Sequence, residues 1–170
     1  MAVKGYSVTQ IGLHWVVAGL ILFQLIFGED MGGAWRAVED GKAPEMTTWV
    51  WAHIIAGIAV LVFAAWRLLL RATRGAPEAP AGSVLMVKAA ELGHWALYAL
   101  MVVIPLTGWL MSSAKGFQTV WFGVLPLPDL LAKDKALGDQ LAQLHWALNV
   151  GLLLLIAGHA AAALWHHFVH

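Results

Sequence analysis

Stretches without charged side chains alternate along the chain with polar segments. Four of these stretches contain no Asp, Glu, Lys or Arg, and they span residues 5–28, 46–66, 92–114 and 140–170. Each reaches the roughly 20 residues that an α-helix needs to cross a bilayer. The pattern therefore predicts an all-α integral membrane protein, a four-helix bundle with helices at about residues 9–27, 48–70, 89–112 and 141–165.

The segments between these helices contain glycine, proline and charged residues, which favour loops. Residues 28–45 predict a loop with at most a short interfacial turn around Trp35, and residues 75–83 predict an irregular linker. The longest connection covers residues 115–139. Because four helices use most of the chain and the loops are short, we expect no fifth helix and a single transmembrane domain over residues 1–170.

Composition and charge exclude several classes of protein. Hydrophobic residues make up 61% of the 170 residues and charged residues 12%, against roughly 25% charged in an ordinary soluble domain. The net charge is zero and no basic cluster is dense enough for nucleic-acid binding. The chain has no cysteine, which excludes disulfides, thiolate chemistry and iron–sulfur clusters held by this chain.

The distribution of Lys and Arg predicts the orientation in the membrane. Arg67, Arg71, Arg74 and Lys88 flank the connection between the second and third helices, and Lys4 precedes the first. The other two connections carry fewer basic residues beside several acids. Since basic residues concentrate on the cytoplasmic side, we expect both termini there.

Five histidines lie inside the predicted membrane helices and sort by depth into two layers. His53 and His145 fall near the periplasmic ends of their helices, whereas His14, His94 and His159 fall near the cytoplasmic side. His145 and His159 stand fourteen residues apart, hence on nearly one helix face and roughly 21 Å apart along it. A six-coordinate b-type haem takes one imidazole on each face. The layers predict two haems, one between His53 and His145 and one between His159 and either His14 or His94.

Other interpretations of these histidines are weaker. A histidine in a membrane helix is often only a polar residue bonded to a neighbouring helix, but five are costly to insert without a function. A zinc or copper site could use His159, His166 and His167, yet that helix offers no carboxylate to complete it. A proton or ion pathway usually needs an intramembrane Asp or Glu, and the four stretches contain none.

Further polar residues are candidates for secondary roles. His166, seven residues beyond His159, could bond a quinone carbonyl or a haem propionate, or could be an interfacial histidine without a ligand. Arg67 and Arg71, four residues apart on one face, could neutralise propionates or could anchor the helix among lipid headgroups. Lys115, at the periplasmic exit of the third helix, could attract an anion or simply mark the membrane edge.

These residues resemble a known family, the bacterial cytochromes b561. This family lies in the broader group of four-helix di-haem b cytochromes that includes the membrane subunits of formate dehydrogenase and nickel–iron hydrogenase. The resemblance covers essentially the whole chain and rests on Ile-Gly-Leu-His-Trp at 11–15, His53 with Gly57, Arg-Leu-Leu-Leu-Arg at 67–71, Leu-Gly-His at 92–94, His145, and His-Ala-Ala-Ala-Ala-Leu-Trp-His-His at 159–167.

The resemblance implies a ligand set. It assigns His53 and His145 to a periplasmic haem, and His14 and His159 to a cytoplasmic one. It leaves His94 as a neighbour of the haem or a candidate for a quinone site.

The resemblance also implies a function, that of a superoxide oxidase-like enzyme in the bacterial inner membrane. Superoxide would reduce the periplasmic haem, steered by Lys115 and Arg36, and electrons would pass through two haems b to ubiquinone near His94 and His166. The alternative is a di-haem anchor subunit that passes electrons from a docked dehydrogenase or hydrogenase to quinone. A third interpretation, a haem-free helical channel or scaffold, predicts a colourless protein.

Overall fold

Four long helices dominate the fold. The structure is a computed structural model that describes residues 5–28, 31–40, 42, 45–77 and 83–169. Within these ranges the long helices are α1 (Val8–Phe27), α3 (Thr48–Arg74), α4 (Val84–Lys115) and α5 (Lys135–Val169), each long and apolar enough to cross a membrane. The predicted all-α fold with four membrane helices is confirmed.

Three of these helices extend beyond their predicted ends. α4 begins at Val84 instead of about residue 89, α5 begins at Lys135 instead of about 141, and α3 continues to Arg74 instead of about 70. Local caps explain the early starts, because a side-chain oxygen at each N-terminus accepts a backbone N–H. Ser83 Oγ accepts from Met86 N at 3.3 Å, and Asp134 Oδ1 accepts from Leu137 N at 3.1 Å. The charged residues at these helix ends lie outside the charge-free stretches, yet they are still helical.

Two short elements lie between the long helices. A nine-residue helix, α2 (Met31–Glu39), follows α1 where the sequence predicts a loop with only a short turn around Trp35, and it is too short to cross a bilayer. The strands β1 (Val120–Trp121) and β2 (Leu125–Pro126) pair antiparallel and form a small hairpin before α5. Phe122 and Gly123 turn this hairpin with φ angles of 51° and 68°, in the left-handed region.

The long helices pack closely in three pairs, which are α1 with α3, α3 with α4, and α4 with α5. A buried apolar cluster holds the centre and consists of Val17, Ile21, Val60, Ala64, Met101, Ile104 and Leu152. The outward faces remain apolar, as lipid contact requires. α5 lies further from α1 and α3 than from α4, which leaves space between their facing side chains.

The bundle has two distinct ends. The "hairpin end" holds β1–β2, the start of α3 and the start of α5. The "termini end" holds the starts of α1 and α4 and the ends of α3 and α5. At the termini end Gln10 Nε2 donates to Gly75 O at 3.2 Å and Arg74 Nη1 donates to Ser7 Oγ at 3.2 Å, so the start of α1 is fastened to the end of α3.

Candidate functional site

A pair of histidines faces across the hairpin end. His53 on α3 and His145 on α5 place their ring centres 6.4 Å apart, with an angle of 66° between the ring planes. A metal–imidazole bond is about 2 Å long, and the centre of the ring lies about 1 Å beyond the bonding nitrogen. Two imidazoles on opposite sides of one metal therefore stand about 6 Å apart. The spacing of His53 and His145 matches this requirement.

Three histidines meet at the termini end. The ring centre of His159 on α5 lies 6.4 Å from that of His14 on α1 and 5.4 Å from that of His94 on α4. The distance from His14 to His159 equals the distance across the hairpin end, whereas His94 is closer to His159. The geometry thus brings together all five membrane histidines in two groups, and it gives two pairs the same spacing.

The ring of His145 is held in one orientation by α4. Its Nδ1 lies 3.1 Å from the carbonyl oxygen of Ile104 and 3.0 Å from the hydroxyl oxygen of Thr107, while Thr107 Oγ1 donates to that same carbonyl at 2.7 Å. Because both neighbours present lone pairs, the proton of the neutral ring resides on Nδ1. The lone pair of Nε2 then points away from α4, which is how outer hydrogen bonds orient a metal-binding histidine.

Gly108 provides room for that ring. A Cβ atom at this position would lie 3.3 Å from Cε1 of His145, closer than ordinary van der Waals contact. The absence of a side chain at Gly108 lets α4 and α5 approach at the depth of the histidine.

Amide side chains hold the backbone at both hairpin-end histidines. Gln24 Nε2 on α1 donates to the carbonyl oxygen of His53 at 3.0 Å, and Asn149 Nδ2 donates to that of His145 at 2.8 Å. Gly57 lies beside the first contact, since a Cβ there would be 3.3 Å from Gln24 Nε2. The Nδ1 atom of His53 is buried with no hydrogen-bond partner among the described residues.

Sequence reasoning missed Gln24, Thr107, Gly108 and Asn149. The available signal was weak, because Gln24 and Asn149 are merely amides inside charge-free stretches. Gln24 and Thr107 reach their histidines from another helix, 29 and 38 positions away, which spacing along the chain does not reveal, whereas Asn149 lies one helical turn after His145.

A cavity of about 1240 Å³ opens beside the hairpin-end pair. Cofactor pockets measure about 300–1,000 Å³, are mostly apolar and carry a few polar groups. The wall of this cavity is also mostly apolar, and its polar side chains include Gln24, His53, Lys115, Asp139, His145 and Asn149. The space and its two imidazoles fit a b-type haem.

The two candidate steering residues differ in exposure. Arg36 lies on α2 with its side chain exposed. Lys115 does not lie at an exposed surface. Its side chain is only 3% exposed and forms an ion pair with Asp139, because the start of α5 packs over the end of α4. Lys115 therefore differs from Arg36 in being buried, and the steering role of both residues stays a prediction.

The arginines of α3 stack on aromatic rings of α4 at the termini end. The guanidinium of Arg67 lies 5.6 Å from the ring centre of Tyr98, and that of Arg71 lies 5.2 Å from Trp95. Arg67 Nε is buried without a hydrogen-bond partner in the part of the chain that the structure describes. These cation–π contacts join α3 to α4 and keep both positive charges at the end that holds His14 and His159.

The remaining predicted residues occupy the last turns of α5 and the outer faces. His166 and His167 are exposed near the end of α5. Trp15 and Trp146, each next to a histidine, are 68% and 70% exposed and face outward. Within the described ranges, no group of three His, Cys, Asp or Glu side chains is placed to hold a metal ion, so the alternative site at His159, His166 and His167 has no supporting geometry.

Comparison with known proteins identifies relatives that span nearly the whole chain. The family model for prokaryotic cytochrome b561 matches residues 5–170. The probable superoxide oxidase CybB of Yersinia pestis is 32% identical over 170 residues, which cover 98% of this chain and 90% of that protein. Cytochrome b562 of Cereibacter sphaeroides is 33% identical over 165 residues, covering 97% and 89%.

A further relative is cytochrome b561 homolog 2 of Escherichia coli strain K12. It is 32% identical over 171 residues, which cover 96% of this chain and 85% of that protein. The resemblance seen in the sequence motifs is confirmed, and the four spans agree with a bacterial membrane protein. This chain belongs to the prokaryotic cytochrome b561 family, a family of membrane electron-transfer proteins that bind b-type haem.

Proposed function

We propose that this protein is a di-haem cytochrome that transfers electrons from superoxide at the periplasmic face of the inner membrane to ubiquinone. The observation that carries the proposal is the presence of two histidine pairs with equal spacing, 6.4 Å between ring centres, at opposite ends of one bundle. Two metal-binding layers in a four-helix membrane protein are suited to carrying electrons across a bilayer.

Two residues would hold each haem. His53 and His145 would hold a haem at the hairpin end, and His14 and His159 would hold one at the termini end. A bound haem supplies one-electron chemistry, since its iron alternates between the ferric and ferrous states. The protein supplies orientation: the hydrogen bonds of His145 to Ile104 and Thr107 hold Nε2 ready for the metal.

α5 links the two layers. It carries one ligand of each proposed pair, His145 and His159, fourteen residues and therefore roughly 21 Å apart along the helix. Arg67, Arg71 and Arg74 concentrate positive charge at the termini end, which supports placing that end in the cytoplasm and the hairpin end in the periplasm.

The name of one relative supports superoxide as the electron donor. That relative is called a probable superoxide oxidase, and it aligns over 98% of this chain. Two superoxide anions would each lose one electron to become O₂, and one ubiquinone would take both electrons with two protons from solvent. The exposed guanidinium of Arg36 at the hairpin end would attract the anion. For the quinone we propose a site near His94 and His166 at the termini end, where polar groups adjoin exposed apolar surface.

The alternative function, a di-haem anchor for a soluble dehydrogenase, also has one supporting observation. The hairpin exposes an apolar tip, with Phe122, Val124 and Leu125 exposed by 50% or more. Such a patch could receive a partner protein. Purification from native membranes without a dehydrogenase subunit would favour the free-standing enzyme, and stoichiometric co-purification would favour the anchor.

The direct test of the donor is enzymatic. Purified protein in detergent with a soluble ubiquinone analogue should consume superoxide and reduce the quinone, with two superoxide anions lost for each quinol formed. Free haem at equal concentration is the control. Consumption no faster than that of free haem, by a protein that retains two haems, would refute superoxide as the donor but would leave the di-haem assignment intact.

A further inference from the structure

An ion pair with a buried lysine lies in the wall of the hairpin-end cavity. Lys115, the last residue of α4, has only 3% of its side chain exposed, and it contacts Asp139 on α5, whose side chain is 42% exposed. Both residues line the same cavity as His53 and His145. Burying a lysine is costly unless its charge is compensated. The ion pair with Asp139 therefore holds the ammonium of Lys115 at the cavity wall.

Gly138 is part of that arrangement. The side chain of Lys115 lies directly on the backbone at this glycine, so that a Cβ at position 138 would be 2.9 Å from both Cδ and Cε of the lysine. The backbone of the same region is also joined, because Asp134 N donates to the carbonyl oxygen of Ala114 at 2.8 Å. The end of α4 and the start of α5 thus enclose the stem of Lys115 and fix its direction.

Lys115 and Asp139 face the same cavity as the proposed haem ligands. On α4, Ile104, Gly108 and Lys115 line the cavity, and Lys115 is seven residues beyond the glycine that contacts the ring of His145. Seven residues return a helix to nearly the same face and advance it by roughly 10.5 Å toward the hairpin end. On α5, Asp139 and His145 line the cavity too.

We propose that Lys115 binds a propionate of the hairpin-end haem and that Asp139 holds the lysine in place for it. This inference rests on the proposed function, because it requires a haem between His53 and His145. Carboxylates of a haem are costly within a bilayer core, so they should point toward the membrane edge, where Lys115 lies. The ammonium has three donors, so that one cation can contact both the propionate and Asp139.

The charges of this pair then act on the iron. A nearby cation favours the reduced haem, which has one positive charge less, and a nearby anion favours the oxidised haem. Removal of the Lys115 charge should lower the midpoint potential of the hairpin-end haem, and removal of the Asp139 charge should raise it. The termini-end haem, at the other end of the bundle, should not respond to either change.

A redox titration of the full-length protein tests the proposal. The variants are Lys115→Gln, Lys115→Arg and Asp139→Asn, with Lys133→Gln as the matched control. Lys133 is exposed in the same segment, packs over Gly116 and does not line the cavity. We expect Lys115→Gln to lower one of the two potentials and to reduce retention of one haem, Lys115→Arg to restore most of both, and Asp139→Asn to raise the same potential. The affected haem should be the one that His145→Ala removes.

Several results would overturn the inference. One is a Lys115→Gln protein whose two potentials and haem content equal those of Lys133→Gln. If Lys115→Gln does not fold, Asp139→Asn decides: an upward shift of the hairpin-end haem alone supports the proposal, and unchanged potentials overturn it. A wild-type protein without haem would overturn the proposed function as well, whereas two haems with unmoved potentials would overturn this inference alone.

Discussion

The two ends of the bundle hold their histidines in different ways. At the hairpin end, the ring of His145 bonds to Ile104 and Thr107, and amides hold the backbone of both histidines. At the termini end, the ring centre of His159 lies 6.4 Å from that of His14 and 5.4 Å from that of His94, and among the described residues none of these three rings has a hydrogen bond like those of His145. The hairpin end holds a single pair of histidines, whereas at the termini end His159 has two histidine neighbours.

The largest difference between the two ends should appear when a proposed haem-binding histidine is replaced. His145→Ala should lose the hairpin-end haem completely, because no other described histidine lies beside His53, so the haem content should fall from two to one per chain. His14→Ala should keep part of the termini-end haem, since His94 lies only 5.4 Å from His159 and can move into the vacant position. Pyridine haemochrome quantification and low-spin absorption bands measure both results.

A double substitution is the control for that contrast. His14→Ala combined with His94→Ala should lose the termini-end haem entirely, whereas His94→Ala alone should retain two haems. Equal and complete loss in the two single variants His14→Ala and His145→Ala would show that the ends do not differ in this respect.

The next effect concerns the space around the ring of His145. Gly108→Ala would place a Cβ 3.3 Å from Cε1, and the resulting overpacking should destabilise the holoprotein by about 1–3 kcal/mol. Loss of the Soret band on heating measures this change. The matched control is Gly19→Ala on α1, where nothing lies within 4 Å of the added atom. Equal thermal midpoints in these two variants would contradict the close approach of α4 and α5.

A smaller effect should follow loss of one hydrogen bond. Thr107→Val keeps the shape of the side chain but removes the oxygen 3.0 Å from His145 Nδ1, while the carbonyl of Ile104 remains at 3.1 Å. We expect a loss of about 0.5–1.5 kcal/mol in holoprotein stability and a changed spectrum of the hairpin-end haem only. Thr107→Ser should preserve both. A spectral change in the termini-end haem would argue against the assigned contact.

The smallest expected effect lies at the termini end. Arg71→Gln removes a guanidinium that stacks on Trp95 and Tyr98, and such contacts contribute about 0.5–1 kcal/mol where they are exposed. Thermal unfolding of the detergent-solubilised protein measures the loss, with Lys88→Gln as a comparison that removes an exposed positive charge at the same end. If Arg71 also binds a haem propionate, the midpoint potential of the termini-end haem will fall as well.

The sequence predicted the helices because lipid imposes a simple rule on them. Charged residues are excluded from a spanning segment, so four charge-free stretches locate four helices. The caps at Ser83 and Asp134 could also have been read from the sequence. The short helix α2 could not, because two adjacent glycines, Gly32 and Gly33, lie inside it and favour a loop.

The histidine pairs could be predicted from the sequence, because the position of each histidine along its helix gives its depth in the membrane, and histidines at equal depth fall into one layer. The burial of Lys115 was not, since it depends on how the end of α4 meets Gly138 on another helix. The same limit applies to Thr107 and His145, which touch across 38 positions of sequence. Contacts between helices need the three-dimensional arrangement, and these contacts distinguish the hairpin end from the termini end.

We propose that each end of the bundle binds one haem. The most direct measurement is the haem-to-protein ratio of the purified full-length protein, taken together with a redox titration of its reduced absorption bands. We expect two haems b per chain with two separable midpoint potentials, of which His145→Ala removes one. A colourless protein, or one haem per chain that survives replacement of His145, would contradict it.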